Sequence, residues 1–186
     1  LIFSILGIGV AQTRDSATAT DINVALGEPG LSFKYESTIG TYGEPYPYSG
    51  DYINQPEGLF VDSDGALYVA EQMGSQVIKY GSDGNYEMSF GVYGNPWHHD
   101  NYLYQPSSVS VAENDHVFVV YQNAVKEYGL AGNYIRSFPE EDPWASGNDN
   151  GHFDYPYDLV FSNDGTKLFI SDVNNKRVQV FSFDVD

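Results

Sequence analysis

Three of the four histidines in this 186-residue chain sit in polar loops close to carboxylates: His98 and His99 beside Asp100, and His152 between Asp149 and Asp154. Imidazole and carboxylate together suit Zn²⁺ or another divalent ion, and a catalytic metal needs about three protein ligands with one position left for water. His98 and His99 would start such a set and His152 would add a ligand from a later loop. Neighbouring histidines do not by themselves share a metal, so two solvated side chains in a polar loop are the competing reading. A second kind of chemistry is aromatic. Trp97, Trp144 and Tyr102 lie in the same long loops, interleaved with Asn and Asp, and can stack on sugars or grip peptide side chains. Glu71, Asp100 and Asp172 would turn anions away from such a surface. The alternative for the rings is a role as wedges between repeats. Other chemistries lack their residues. There is no Cys, no Gly-x-Ser-x-Gly elbow and no Gly-rich phosphate loop.

The elements that must position these residues repeat. Pro56, Pro106 and Pro156 each open the same phrase, fifty residues apart. A period of this length means stacked copies of a unit that cannot bury its apolar face alone. In the first copy, short apolar runs at 58–61, 66–70, 77–80 and 86–90 are separated by Gly- and Asp-bearing turns, which reads as four strands. The second copy repeats the plan at 109–112, 117–121, 125–128 and 134–138. The third offers 159–162, 168–171 and 178–181. Residues 33–43 match the fourth strand of copy one and are expected to be an outer strand. No sustained helical period occurs in the copies.

Four short antiparallel strands per repeat, packed radially, make a blade of a β-propeller. The phrase running from Pro56 through Asp62, Asp64 and Gly65 to Ala70, followed by Val77-Ile78-Lys79-Tyr80, resembles an NHL repeat, and the stretch from Leu168 to Phe181 resembles it more closely still. The resemblance covers about residues 31–186. It implies an all-β propeller, and the family usually forms six blades. About three are encoded here, so the chain is expected to be a partial ring. Either it is a piece of a longer protein, or two copies join as a homodimer of half-rings. Copy two departs from the pattern at Ser108 and in its shortened 121–123 loop. Some relatives of these repeats are lyases or hydrolases with a metal on the channel axis, but none of their catalytic residues can be matched here position by position.

Net charge is −18, from 26 acidic and 8 basic residues. Such a surface repels nucleic-acid phosphate and anionic lipid. Residues 1–11 are apolar and end in small residues, resembling the core of a secretory signal, and are too short to span a membrane. Residues 12–30 read as a linker, and 31–186 as the blades. These readings favour a secreted or cell-surface, non-enzymatic scaffold that binds a protein or glycan through its loop-rich face, with no resident cofactor. The alternative is a lyase or hydrolase dependent on a divalent metal.

Overall fold

The computed structural model describes residues 35–42, 52–92, 101–113, 115–139 and 145–183. The segments read as signal and linker lie outside them, as do Trp97, His98, His99, Asp100 and Trp144. Ile39–Asp186 is one compact unit; of Leu1–Thr38 only residues 35–38 are described. Two short strands come first, β1 (Thr41–Tyr42) and β2 (Tyr52–Ile53). Blade one follows as β3 (Pro56–Val61), β4 (Leu67–Glu71), β5 (Gln76–Tyr80) and β6 (Tyr86–Phe90). Blade two is β7 (Ser108–Val111), β8 (His116–Tyr121), β9 (Ala124–Gly129) and β10 (Tyr134–Phe138). Blade three has β11 (Pro156–Phe161), β12 (Lys167–Asp172) and β13 (Arg177–Ser182). Each blade is an antiparallel sheet in chain order, with four, four and three strands. No helix occurs among the described residues. The fold is the partial β-propeller that the repeat predicts.

The turns follow from their side chains. Asp62 Oδ1 accepts the backbone N–H of Asp64 and of Ala66, at 3.0 and 2.8 Å. Asp164 Oδ1 takes the Ser162 hydroxyl at 2.6 Å, with the Thr166 hydroxyl and N–H at 2.8 and 3.1 Å. These carboxylates replace missing backbone partners, which fixes each hairpin's length and so its register.

Alternation within each strand sends one side chain toward each neighbouring blade. Tyr68, Ala70 and Val77 of blade one pack against Val117, Val119 and Tyr128 of blade two. Phe118, Val120 and Val125 of blade two face Leu159, Leu168 and Ile170 of blade three. Large buried side chains of this kind contribute about 1.5–3 kcal/mol each. Repeat position explains the exposed apolar residues as well. Val109 and Leu159 are 2% and 4% exposed, whereas their counterpart Leu59 is 65% exposed. On that face of blade one Ile53 covers Val69, Ile78 and Tyr80, but no further blade packs beyond them among the described residues. Val178 of blade three, 61% exposed, marks the opposite end.

One expectation needs correction. Of the outer strand expected over 33–43, only β1 carries strand structure among the described residues, and β1 pairs in parallel with β2. Gly40 turns the chain there at φ 87°, a left-handed conformation that glycine adopts without strain. Gly91, at φ 95°, does the same after β6, ahead of a parallel bridge from Val92 to Tyr102. The parallel clasp is therefore a feature of the repeat and not of the chain's start.

Candidate active site at the channel mouth

The inner strands β3, β7 and β11 lie side by side, where a propeller keeps its central channel. The residue after each repeat proline stands at the mouth: Glu57, Ser107 and Tyr157. Next come Gly58, Ser108 and Asp158, and these set the blade spacing. A Cβ on Gly58 would sit 2.6 Å from Ser108 Cα and 2.7 Å from Ser107 O, so only glycine lets the inner strands approach this closely. Between blades two and three a hydrogen bond replaces that contact, the Ser108 hydroxyl donating to Asp158 Oδ1 at 2.6 Å. The Ser107 hydroxyl donates to the Tyr157 carbonyl at 2.7 Å.

These contacts bring together two groups a hundred residues apart. The Tyr157 hydroxyl donates to Glu57 Oε2 at 2.8 Å, and Gln55 Nε2 donates to Glu57 Oε1 at 3.0 Å. The hydrogen bond to Glu57, reinforced by its negative charge, raises the Tyr157 pKa above its ordinary 10. Tyr157 therefore holds its proton at neutral pH more firmly than an ordinary tyrosine, with the Glu57 carboxylate as its acceptor. Tyr157 is 40% exposed, so the pair is open to a ligand. Sequence reading passed over both residues. The available signal was that the position after the repeat proline varies (Glu, Ser, Tyr) while its surroundings repeat.

The residues singled out from the sequence fall elsewhere. Glu71 is fully buried at the end of β4, its oxygens taken by the backbone N–H of Gln55 at 2.8 Å and of Gly74. Asp172, its repeat counterpart, is buried as well. It accepts from Asp154 N at 2.8 Å, Arg177 Nε at 2.8 Å, Gln179 Nε2 at 3.1 Å and the Asn175 amide. Burial works against its charge, but these hydrogen bonds outweigh it and hold its pKa below the ordinary value. Both carboxylates are thus taken up by the fold's own donors. Tyr102 is 2% exposed in the seam between blades one and two, where its carbonyl accepts the Lys126 ammonium. That is the wedge alternative for this ring. His152 is half-buried, and its carbonyl is held by Arg177 at 2.9 Å and Gln179 at 2.7 Å. Of these four, Glu71 is linked to the Glu57–Tyr157 pair through Gln55, whose N–H it accepts and whose carboxamide holds Glu57.

Among the described residues no three His, Asp or Glu side chains gather as a metal site. Among the described residues at the mouth, the donors are one carboxylate already bonded to Tyr157, two hydroxyls, and Asp158 tied to Ser108. This set does not fit the axial metal that the resemblance implies.

No family model matches the chain. It is 30% identical over 134 residues to the "Probable peptidyl-alpha-hydroxyglycine alpha-amidating lyase" of Caenorhabditis elegans, a match covering 68% of this chain and 37% of that protein. The chain thus spans little more than a third of its curated relative. Among solved structures, hydrazine synthase of Kuenenia stuttgartiensis overlays with a TM-score of 0.53 at 14% identity, covering 79% of this chain and 36% of that one. That likeness bears on fold alone. Virginiamycin B lyase from Staphylococcus aureus gives 0.44 at 10% identity, covering 69% and 41%, too loose an overlay to bear on either fold or function. The sequence relative is named for lyase chemistry, and this overturns the expectation of a non-enzymatic scaffold: the chain resembles an enzyme.

Proposed function

We propose that this chain is part of an NHL-type propeller lyase, secreted, acting on peptides that end in α-hydroxyglycine. The observation that carries the reading is the 30% identity to the amidating lyase. The apolar residues 1–11 support secretion. Among the described residues no helix is long and apolar enough to cross a membrane.

The chemistry asks for two proton transfers. In the substrate the α-carbon of the last residue bears a hydroxyl, the peptide nitrogen and the terminal carboxylate. Breaking that C–N bond turns the hydroxyl carbon into the carbonyl of glyoxylate and leaves a peptide amide. A base must take the hydroxyl proton while an acid supplies one to the departing nitrogen. Glu57 is the base and Tyr157 the acid. An amide anion is a far stronger base than a phenolate, so proton donation from tyrosine runs downhill. The 2.8 Å hydrogen bond then returns the proton from Glu57 to Tyr157, closing the cycle without net change.

The test is glyoxylate release from a synthetic peptidyl-α-hydroxyglycine, with the amide product weighed by mass spectrometry. Tyr157→Phe is expected to lower kcat by roughly a hundredfold or more with an unchanged circular dichroism spectrum. Release at the wild-type rate in Tyr157→Phe refutes the assignment, and absence of release from the folded wild-type protein refutes the lyase.

A further inference from the structure

We propose that a neutral cleft beside Tyr157 is a binding subsite for the main chain of a peptide. The cleft encloses about 120 Å³ and draws on all three blades. The carboxamides of Gln72, Gln105, Gln122 and Asn123 line it, with the rings of Tyr155 and Tyr157 along one side. Gln72 comes from the β4–β5 loop and Gln122 and Asn123 from the β8–β9 loop, while Gln105 and Tyr155 directly precede the repeat prolines.

The lining carries no charged side chain, in a protein with 26 acidic residues. A larger cavity, about 420 Å³, is charged by contrast: Asp62, Asp64, Glu87, Glu113, Asp115 and Lys79 all line it. The neutral cleft excludes ion pairing as its mode of recognition. The carboxamides of Gln72, Gln105 and Gln122 each carry an N–H donor and a carbonyl acceptor, the same pair that a peptide unit presents. A volume of about 120 Å³ accommodates roughly four water-sized groups, the size of one peptide unit.

The backbone holds these amides at some cost. Gln105, Gln122 and Tyr155 adopt left-handed φ of 49°, 47° and 55°, which non-glycine residues seldom do. Gln122 takes this conformation as the first residue of the two-residue β8–β9 turn, and Gln105 and Tyr155 take it just before the repeat prolines. Ser75, Asp115 and Lys176 share it outside the cleft. The strain is braced, because Asn123 Oδ1 accepts the Tyr155 N–H at 2.8 Å. Tyr155 is 54% exposed, and its ring centre lies 6.2 Å from that of Tyr157. A peptide lying along the cleft therefore ends against the Glu57–Tyr157 pair. Its role as a substrate subsite rests on the lyase reading, whereas its affinity for peptide amides does not.

The experiment titrates the protein with acetyl-Phe-Gly-amide, a neutral probe without a carboxylate, and separately with maltotriose, following both by NMR. Gln72→Leu removes one donor–acceptor pair and keeps the backbone N–H that bonds Gln55 O. Peptide-amide binding is expected to weaken roughly five- to tenfold in that variant. KM for the peptidyl-α-hydroxyglycine is expected to rise by the same factor with kcat unchanged. Gln72→Met, of nearly the same size, removes the same donor–acceptor pair and gives the same weakening should the leucine variant fold poorly. Peptide binding without turnover supports the subsite and refutes the lyase. Turnover with an unaltered KM in both variants, no peptide binding by the wild type, or tighter binding of maltotriose than of the peptide amide overturns the subsite.

Discussion

Asp172→Ala tests how the third blade holds the loop that carries His152. Asp172 is fully buried and accepts hydrogen bonds from Asp154 N, Asn175, Arg177 and Gln179, all between 2.8 and 3.1 Å. Removing the carboxylate strands the Arg177 Nε and the Asp154 N–H. Breaking a buried charged pair costs about 3–5 kcal/mol. The lower end applies here for two reasons. The Arg177 side chain is 27% exposed. Its other nitrogens keep the carbonyls of Asn148, Asp149 and His152 at 2.7–2.9 Å. With a loss of about 3 kcal/mol and an m-value of about 2 kcal/mol/M, the urea midpoint falls by about 1.5 M. The assay is urea denaturation by circular dichroism at pH 7, with hydrogen exchange read strand by strand. Because repeats couple mainly to their neighbours, β12 and β13 should lose protection before β8 and β9. Arg177→Ala should lower stability too, and the double variant should lose less than the sum of the two. A midpoint shift in Asp172→Ala under about 0.3 M, or fully additive losses, would refute the reasoning.

Gly58→Ala is expected to cost about 1–3 kcal/mol, because the new methyl meets the Ser108 backbone and not a flexible side chain; thermal melting reads it. The Asp164 carboxyl, held at about 2 by the hydroxyls of Ser162 and Thr166, gives a pH dependence. A carboxyl depressed in the folded state stabilises fully above its ordinary pKa and loses that contribution as pH falls toward its folded value. Melting temperature should therefore fall between about pH 4 and 2, and Asp164→Ala should flatten that fall while lowering the value at pH 6. The phenol of Tyr157 should titrate above 10 in ultraviolet difference spectra, and Glu57→Gln should bring it back toward the ordinary value, since the charge beside it is removed.

The strands were legible because alternation and turn chemistry are local. β6 and β10 match the sequence expectation residue for residue, since Gly or Asp ends the run before each and the partner strand fixes the other boundary. β3 and β11 begin two or three residues earlier than expected, because register shifts after Pro56 and Pro156 let each proline pair with the end of the next strand. The carboxylates misled for a related reason. At the end of a strand, before a polar loop, Glu71 and Asp172 look solvent-facing. The hairpin register, which sets Asp172 directly opposite Arg177, turns both inward to serve the backbone. That pairing was open to sequence reasoning through the short loop between β12 and β13. The Glu57–Tyr157 contact was not, because it depends on how blades stack, a relation that no local pattern encodes.

The hundred residues between Glu57 and Tyr157 give the site a place in time. At about 5–20 residues per second, a ribosome needs roughly 5–20 s to make the second partner after the first. Throughout that interval the emerging polypeptide can fold blade one and then blade two, each on its predecessor, with a lone carboxylate at the rim. The Glu57–Tyr157 hydrogen bond comes into being only when the third blade docks. Chemistry at this rim thus reports that translation has passed Tyr157 and that three units have assembled in order.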